Sequence, residues 1–122
     1  MKKVLIIDDD PMVRQLTRMA LAGQYSCLEA ADAETAYALL DRDPPDLIIL
    51  DWVLPGLSGP NLVRRLHRDK ELGRIPVIIV SARGEEQTRK TAVELGAAGY
   101  LPKPFDVKDL RELVARIVEK KT

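Results

Sequence analysis

The stretch VLIIDDD at residues 4–10 is a short apolar run that ends in three aspartates. Three later stretches have the same form, because each is apolar and stops at a polar residue: LIILD at 47–51, VIIVS at 77–81 and GYLPK at 99–103. Continuous apolar runs rich in β-branched residues are typical of parallel strands buried on both faces. Since ligands bind beyond the carboxyl ends of such strands, we expect the terminal carboxylates, hydroxyl and amine to share one site.

Amphipathic helical patterns occupy the segments between the apolar runs. The first helix is expected to start at Pro11 behind an Asp10 cap and to end near Gly23. Its core-facing side is predicted to carry Met12, Val13, Leu16, Met19 and Ala20. The remaining four helices are expected to begin after Asp32, near Ser58, at about Glu85 and after Asp106.

The order of these patterns is five alternating strand and helix units. The second strand, Tyr25 to Leu28, is the least apolar of the five and is expected to lie at an edge. Alternation of this kind predicts an α/β fold with a doubly wound parallel sheet, right-handed crossovers and helices on both faces.

Length and charge restrict the possible classes of protein. A chain of 122 residues with 46% hydrophobic content fits one cored domain over residues 1–122. Nineteen basic residues balance nineteen acidic ones, so neither nucleic-acid binding nor a polybasic membrane surface is expected. No apolar run approaches a membrane span, and we expect a cytoplasmic protein. Only residues 119–122 follow the last helical pattern, so no separate output domain is expected in this sequence.

The acidic residues at the strand ends suggest phosphoryl chemistry with a metal ion. Asp8, Asp9 and Asp51 would repel one another unless a hard cation joined them, and Mg2+ suits a half-open site of oxygen ligands. With the cation present, Asp51 can act as a carboxylate nucleophile and form an acyl phosphate. Lys103 and the Ser81 hydroxyl could then bind the phosphoryl oxygens.

Taken together, the motifs resemble the receiver domain of bacterial two-component response regulators, a family that includes the chemotaxis regulators. The resemblance rests on IIDDD at residues 6–10, LDWVLPG at 50–56 with Gly59, VSA at 80–82, and residues 96–100 followed by LPKPF at 101–105. Each motif alone is weak, but their joint occurrence in this order is specific. The resemblance implies a flavodoxin-like fold with five helices and the strand order 2-1-3-4-5.

The resemblance also implies roles for individual residues of the site. Asp51 would be the phosphoacceptor, and Mg2+ would be held by Asp8, Asp9, Asp51 and the backbone carbonyl of Val53. Lys103 would bind the phosphoryl group. In this family the peptide bond after that lysine is usually cis, which would aim the lysine into the site.

The same resemblance implies a signalling switch and its partners. Ser81 would be the switch hydroxyl, and Tyr100 would swing inward when Ser81 is drawn to the phosphate. The phosphoryl donor would be a sensor histidine kinase or a phosphotransfer protein, and an effector protein would bind the face of helix 4, strand 5 and helix 5. The domain would catalyse only its own phosphorylation and dephosphorylation, as a monomer or a weak phosphorylation-dependent dimer.

Three departures from common family patterns bear on function. Ala98 and Gly99 stand where many DNA-binding members have two acids, so dimerisation through those acids is not expected. Trp52, the only tryptophan, follows the phosphoacceptor and places a fluorophore beside the site. Val53 and Arg83 border the phosphoryl group in this family, and neither is an amide or acid that could readily orient water.

Other interpretations of the same residues remain open at this point. The three aspartates could be a solvated helix start, and His67 is expected to be a solvated residue and not a phosphohistidine. A flavodoxin shares the fold but needs a phosphate loop rich in hydroxyls and glycines after strand one. A magnesium-dependent aspartyl phosphatase of the haloacid dehalogenase type places its nucleophile after strand one and carries an inserted cap.

Overall fold

A computed structural model describes residues 1–54, 58–82 and 86–119 of the protein. The described residues form alternating strands and helices, with a short 3-10 turn at Leu72–Arg74 before the fourth strand. The strands are β1 (Lys2–Ile7), β2 (Tyr25–Ala30), β3 (Leu47–Asp51), β4 (Val77–Ala82) and β5 (Gly99–Lys103). The helices are α1 (Pro11–Leu21), α2 (Ala33–Arg42), α3 (Gly59–His67), α4 (Glu86–Glu94) and α5 (Val107–Glu119).

The five strands form one parallel sheet in the order β2-β1-β3-β4-β5, which confirms the predicted flavodoxin-like topology. β2 lies at an edge, as its low apolar content indicated. The register pairs Ile7 of β1 with Leu50 of β3, so the residues that follow each of them emerge side by side. The order of the strands therefore brings the acidic strand ends to one edge of the sheet.

The sheet separates two hydrophobic cores, because successive residues of each strand point to opposite faces. The first core contains Leu5, Ile7, Ile48 and Leu50 and is covered by residues of α2, α3 and α4. The second core contains Val4, Ile6, Leu47 and Ile49 and is covered by residues of α1 and α5. Most residues of β1, β3 and β4 are buried, as their continuous apolar runs predicted, whereas the edge strand β5 is only partly buried.

Side chains cap the helices at the predicted positions. The carboxylates of Asp10 and Asp32 accept hydrogen bonds from the backbone N–H groups of Met12 and Thr35, at 2.9 and 2.7 Å. At the start of α3, the Ser58 hydroxyl accepts from a backbone N–H of the first turn. Gly23 and Gly96 adopt positive φ angles after α1 and α4, of 87° and 82°. The predicted start of the fourth helix at Glu85 lies outside the described residues.

The predicted core-facing side of α1 is wrong for three of its five residues, whereas it is confirmed for Ala20, and Val13 is half-buried. Met12, Leu16 and Met19 are 76%, 47% and 63% exposed, whereas Thr17 and Ala20 are buried beside Leu21. The buried Thr17 hydroxyl donates to the Val13 carbonyl of its own helix at 2.8 Å, so it needs no partner from the sheet. Thr17, Ala20 and Leu21 thus face inward, whereas Met12, Leu16 and Met19 face outward.

Gly59 lies against the backbone that follows β3. Its N–H donates to the Trp52 carbonyl at 2.8 Å, and a Cβ at this position would lie 2.8 Å from the Trp52 oxygen and 2.9 Å from the Asp51 oxygen. Both atoms belong to the main chain and cannot rotate away as a side chain can. Only glycine therefore fits at this approach without displacing the end of the strand.

We expect Gly59→Ala to lower the free energy of unfolding by about 1–3 kcal/mol, the usual cost of overpacking. Asn61→Ala, at an exposed position of the same helix, should change it by no more than about 0.5 kcal/mol. Urea denaturation of the two variants and the wild type measures both effects. Coincident curves for Gly59→Ala and the wild type would contradict the steric argument.

Candidate functional site

Three carboxylates converge at the carboxyl edge of the sheet. Asp8 and Asp9 follow β1, and Asp51 is the last residue of the neighbouring strand β3. One carboxylate oxygen from each residue lies within 4.8 Å of the other two. Asp8 and Asp51 are buried, whereas Asp9 is exposed. The structure thus brings together the three aspartates that the sequence singled out.

Lys103 at the end of β5 reaches two of these carboxylates. Its Nζ lies 2.9 Å from Asp8 Oδ2 and 3.4 Å from Asp51 Oδ2. The peptide bond between Lys103 and Pro104 is cis, as the resemblance implied. The other oxygen of Asp8, Oδ1, accepts the backbone N–H of Asp10 at 2.9 Å. A single ammonium group thus offsets part of the charge of the acidic cluster.

The pKa values of Asp51 and Lys103 are both raised, for different reasons. The pKa of Asp51 is raised by its burial and then by the charge of Asp8, although Lys103 and the backbone N–H of Val53 act in the opposite direction. Burial alone would lower the pKa of Lys103, but its hydrogen bond to Asp8 and the charges of Asp51 and Asp8 outweigh burial and raise it. The lysine therefore stays charged, while the negative charge on Asp51 is incompletely compensated.

The chemistry of the donor set fits a hard divalent cation. The three clustered side chains offer only carboxylate oxygens, which are the ligands that Mg2+ prefers. One lysine cannot balance three acids, so an added cation would relieve the repulsion between them. The Val53 side chain is 71% exposed, and its backbone carbonyl as a further ligand stays a prediction.

Ser81 and Tyr100 occupy neighbouring strands next to the acidic cluster. Ser81 is buried near the end of β4 and pairs with Pro102 of β5, two residues beyond Tyr100. Because side chains alternate along a strand, this register places Ser81 and Tyr100 toward the same face of the sheet. Tyr100 is half-buried and packs against the first core. The two predicted switch residues are therefore close in the fold.

Sequence reasoning missed two charged residues near the loop after β1, of which Arg14 contacts the loop and Glu29 contacts Arg14. Arg14 Nη1 donates to the Asp8 carbonyl at 2.6 Å, and Arg14 Nε donates to Glu29 Oε1 at 3.0 Å. Arg14 could have been noticed as a cation one turn into the helix that follows the aspartates. Nothing local identifies Glu29, because its contact depends on how α1 lies against β2.

A shallow groove of about 300 Å³ lies beside the site. It runs between α1 and the segment after β5, and its lining is almost entirely apolar: Val13, Leu16, Ala82, Lys103, Pro104 and Phe105. His67 is exposed on α3, as predicted. Arg83 and the Pro55–Gly56 part of the motif after Asp51 lie outside the described residues.

Comparisons with known proteins agree with this geometry. The model of the response regulator receiver domain family matches residues 4–115. The phosphate regulon transcriptional regulatory protein PhoB of Pseudomonas aeruginosa is 47% identical over 118 residues, which are 95% of this chain and 50% of that protein. The chain thus spans about half the length of this relative.

Two solved structures resemble the whole chain. A putative response regulator from Chloroflexus aurantiacus superposes with a TM-score of 0.93 at 31% identity, covering 97% of this chain and 98% of that one. The receiver domain of the sensor histidine kinase PA1611 from Pseudomonas aeruginosa, which has magnesium coordinated in its active site cleft, superposes with a TM-score of 0.86 at 25% identity. That match covers 97% of this chain and 98% of the other. This chain therefore belongs to the response regulator receiver domain family, whose general function is that of a phosphorylation-dependent switch in two-component signalling.

Proposed function

We propose that the chain is one receiver domain over residues 1–122 and that Asp51 is its phosphoacceptor. The observation that carries this proposal is the buried Asp51 carboxylate, which lies 3.4 Å from Lys103 Nζ and clusters with the two aspartates after β1. An Asp51 oxygen would form a bond to phosphorus as the bond from phosphorus to a histidine nitrogen of the donor breaks. The imidazole leaves with the electron pair and takes up a proton.

The neighbouring residues have roles that follow from their positions. Lys103, 3.4 Å from an Asp51 oxygen, would pair with one phosphoryl oxygen, and the Ser81 hydroxyl would donate to another. Asp8, Asp9, Asp51 and the Val53 carbonyl would hold Mg2+. When bound, the cation supplies positive charge that offsets the acidic cluster and the phosphoryl oxygens.

The surface beside the site supports a protein as the phosphoryl donor. The exposed apolar face of α1, formed by Met12, Leu16 and Met19, is next to the groove that Lys103 and Phe105 line. Exposed apolar surface of this kind is typical of protein contact sites. We infer that a sensor histidine kinase or phosphotransfer protein covers it while phosphoryl transfer takes place.

Output would take place on the face formed by α4, β5 and α5. Tyr100 lies on β5 and packs against the first core, so its movement would change the packing beneath α4. An effector protein would bind this face, with the domain a monomer or a weak phosphorylation-dependent dimer. Gly99 on the same strand has no acidic side chain that could contact a partner. A Cβ at this position would lie against the side chains of Leu113 and Ile117 of α5.

The remaining expectations concern class and location. We propose a signalling domain that catalyses only its own phosphorylation and dephosphorylation, in the cytoplasm. None of the helices in the three described ranges combines the length and apolar character that a bilayer crossing requires. Any contact with nucleic acid in a longer regulator would lie outside residues 1–122, because basic and acidic residues balance here. Family membership argues against the flavodoxin and phosphatase alternatives.

Addition of Mg2+ followed by beryllofluoride, which stands in for the phosphoryl group on Asp51, should change the fluorescence of Trp52. The indole is adjacent to the carboxylate that gains a ligand. Asp51→Asn should abolish the response to beryllofluoride, whereas Asp10→Asn should retain it, because Asp10 only caps α1 and asparagine caps equally well. An unchanged Trp52 fluorescence in the wild type, or an undiminished response in Asp51→Asn, would contradict the assignment of Asp51 as the phosphoacceptor.

Amide hydrogen exchange should report the switch at a distance from Asp51. On beryllofluoride binding, protection should change within residues 86–112, because repacking around Ser81 and Tyr100 propagates along β5 to α4 and α5. Residues 33–42 of α2 serve as an internal control and should not change. Exchange that responds only next to Asp51 would count against the proposed output face.

The phosphorylated Asp51 should be long-lived for a receiver domain, with Val53 and Arg83 as the cause. Hydrolysis needs a water in line with the bond from phosphorus to the Asp51 oxygen, and losing a group that positions such a water slows a reaction roughly 10- to 1000-fold. Valine cannot hydrogen-bond that water. Val53→Asn, alone and with Arg83→Glu, should therefore shorten the lifetime of the phosphoprotein in excess Mg2+. Wild-type phosphoprotein that decays within seconds, or phosphorylated variants that decay no faster than the wild type, would show that other groups set the lifetime.

A further inference from the structure

The edge strand β2 holds the loop that carries Asp8 and Asp9. The Asp8 N–H donates to the Ala30 carbonyl of β2 at 3.1 Å. The Asp8 carbonyl accepts from Arg14 Nη1 at 2.6 Å, and Arg14 Nε donates to Glu29, also on β2, at 3.0 Å. Both backbone polar groups of Asp8 are therefore connected to β2, one directly and one through Arg14.

Glu29 is shared by two arginines that differ in their surroundings. Arg14 binds one carboxylate oxygen and Arg18 binds the other, at 3.0 and 2.9 Å. The Arg14 side chain is 17% exposed and contacts Asp8, whereas the Arg18 side chain is 60% exposed. An ion pair that is partly shielded from water, with a charge-assisted hydrogen bond, orients its members more strongly than an exposed pair does.

We propose that Glu29 is a positioning residue for the metal-binding loop. It keeps the Arg14 guanidinium on the Asp8 carbonyl, which fixes the orientation of the Asp8 carboxylate. It also keeps that guanidinium away from the carboxylates of Asp8 and Asp9, to which an arginine released from its partner would bind in competition with a cation. This inference rests on the proposed Mg2+ site.

The test is the affinity for Mg2+, titrated through Trp52 fluorescence and through the Mg2+-dependent rise in melting temperature. Glu29→Gln should raise the Kd for Mg2+ about 3- to 10-fold, less than the roughly 10- to 100-fold typical of a group bonded directly to a ligand side chain. Arg18→Gln is the matched control, because Arg18 binds the same glutamate at an exposed position. Its Kd should stay within about twofold of the wild type.

Two further comparisons separate positioning from a simple effect of charge. Glu29→Asp keeps the negative charge but is one methylene shorter, so it should lose contact with Arg14 and weaken Mg2+ binding as Glu29→Gln does. In an Arg14→Gln background, Glu29→Gln should change the Kd by less than about twofold, because coupled residues are not additive. A Kd for Mg2+ in Glu29→Asp equal to that of the wild type would overturn the proposal. So would a Kd that rises as much on Glu29→Gln in the Arg14→Gln background as it does in the wild type.

The outcomes also distinguish this inference from the function on which it rests. A wild type that shows neither a fluorescence response nor a rise in melting temperature with Mg2+ would contradict the proposed metal site. A wild type that binds Mg2+ normally, with Glu29→Gln at the same Kd, would overturn only the role of Glu29. Melting in EDTA checks the fold of each variant, and a lowered melting temperature with unchanged Kd would assign Glu29 a purely structural role.

Discussion

Mutual repulsion of three carboxylates is the constraint on which the site depends. The parallel sheet places Asp8, Asp9 and Asp51 within 4.8 Å of one another, although their charges oppose this arrangement. Two hydrophobic cores on either side of the strands supply the free energy that holds them there. Lys103 relieves part of the repulsion. The repulsion that remains favours the binding of a cation. A cation bound there would also stabilise the charge of a phosphoryl group.

Most of the fold was predictable because its signals are local. An apolar run of four or five residues is long enough for a buried strand, and the polar residue that ends the run marks the edge of the sheet. Caps such as Asp10 and Asp32 are equally local, since each bonds to a backbone N–H only two or three residues ahead. The proximity of Lys103 to the acidic cluster was predictable from the polar residues at the strand ends, because parallel strands bring their carboxyl ends together.

The features that sequence reasoning missed depend on contacts between distant segments. Periodicity showed that α1 is amphipathic and placed Ala20 on its buried side, but it did not show that this side would also carry Thr17 and Leu21. Arg111 of α5 donates to the Ala20 carbonyl at 2.7 Å, although the two residues are 91 positions apart in the sequence. No local sequence pattern predicts this contact. The pairing of Arg14 with Glu29 likewise requires α1 to lie along β2. Propensity and spacing do not contain such information.

The separation of the two cores by the sheet has a consequence for how such a sequence can diverge. Trp52 and Tyr100 pack against the first core, so changes in that core alter the surroundings of the proposed switch. The second core is lined by different side chains of the same strands and is covered by α1 and α5. Substitutions at sites without shared partners are close to additive. Substitutions in the second core can therefore accumulate and change the thermal stability of the protein while the packing around Trp52 and Tyr100 is preserved.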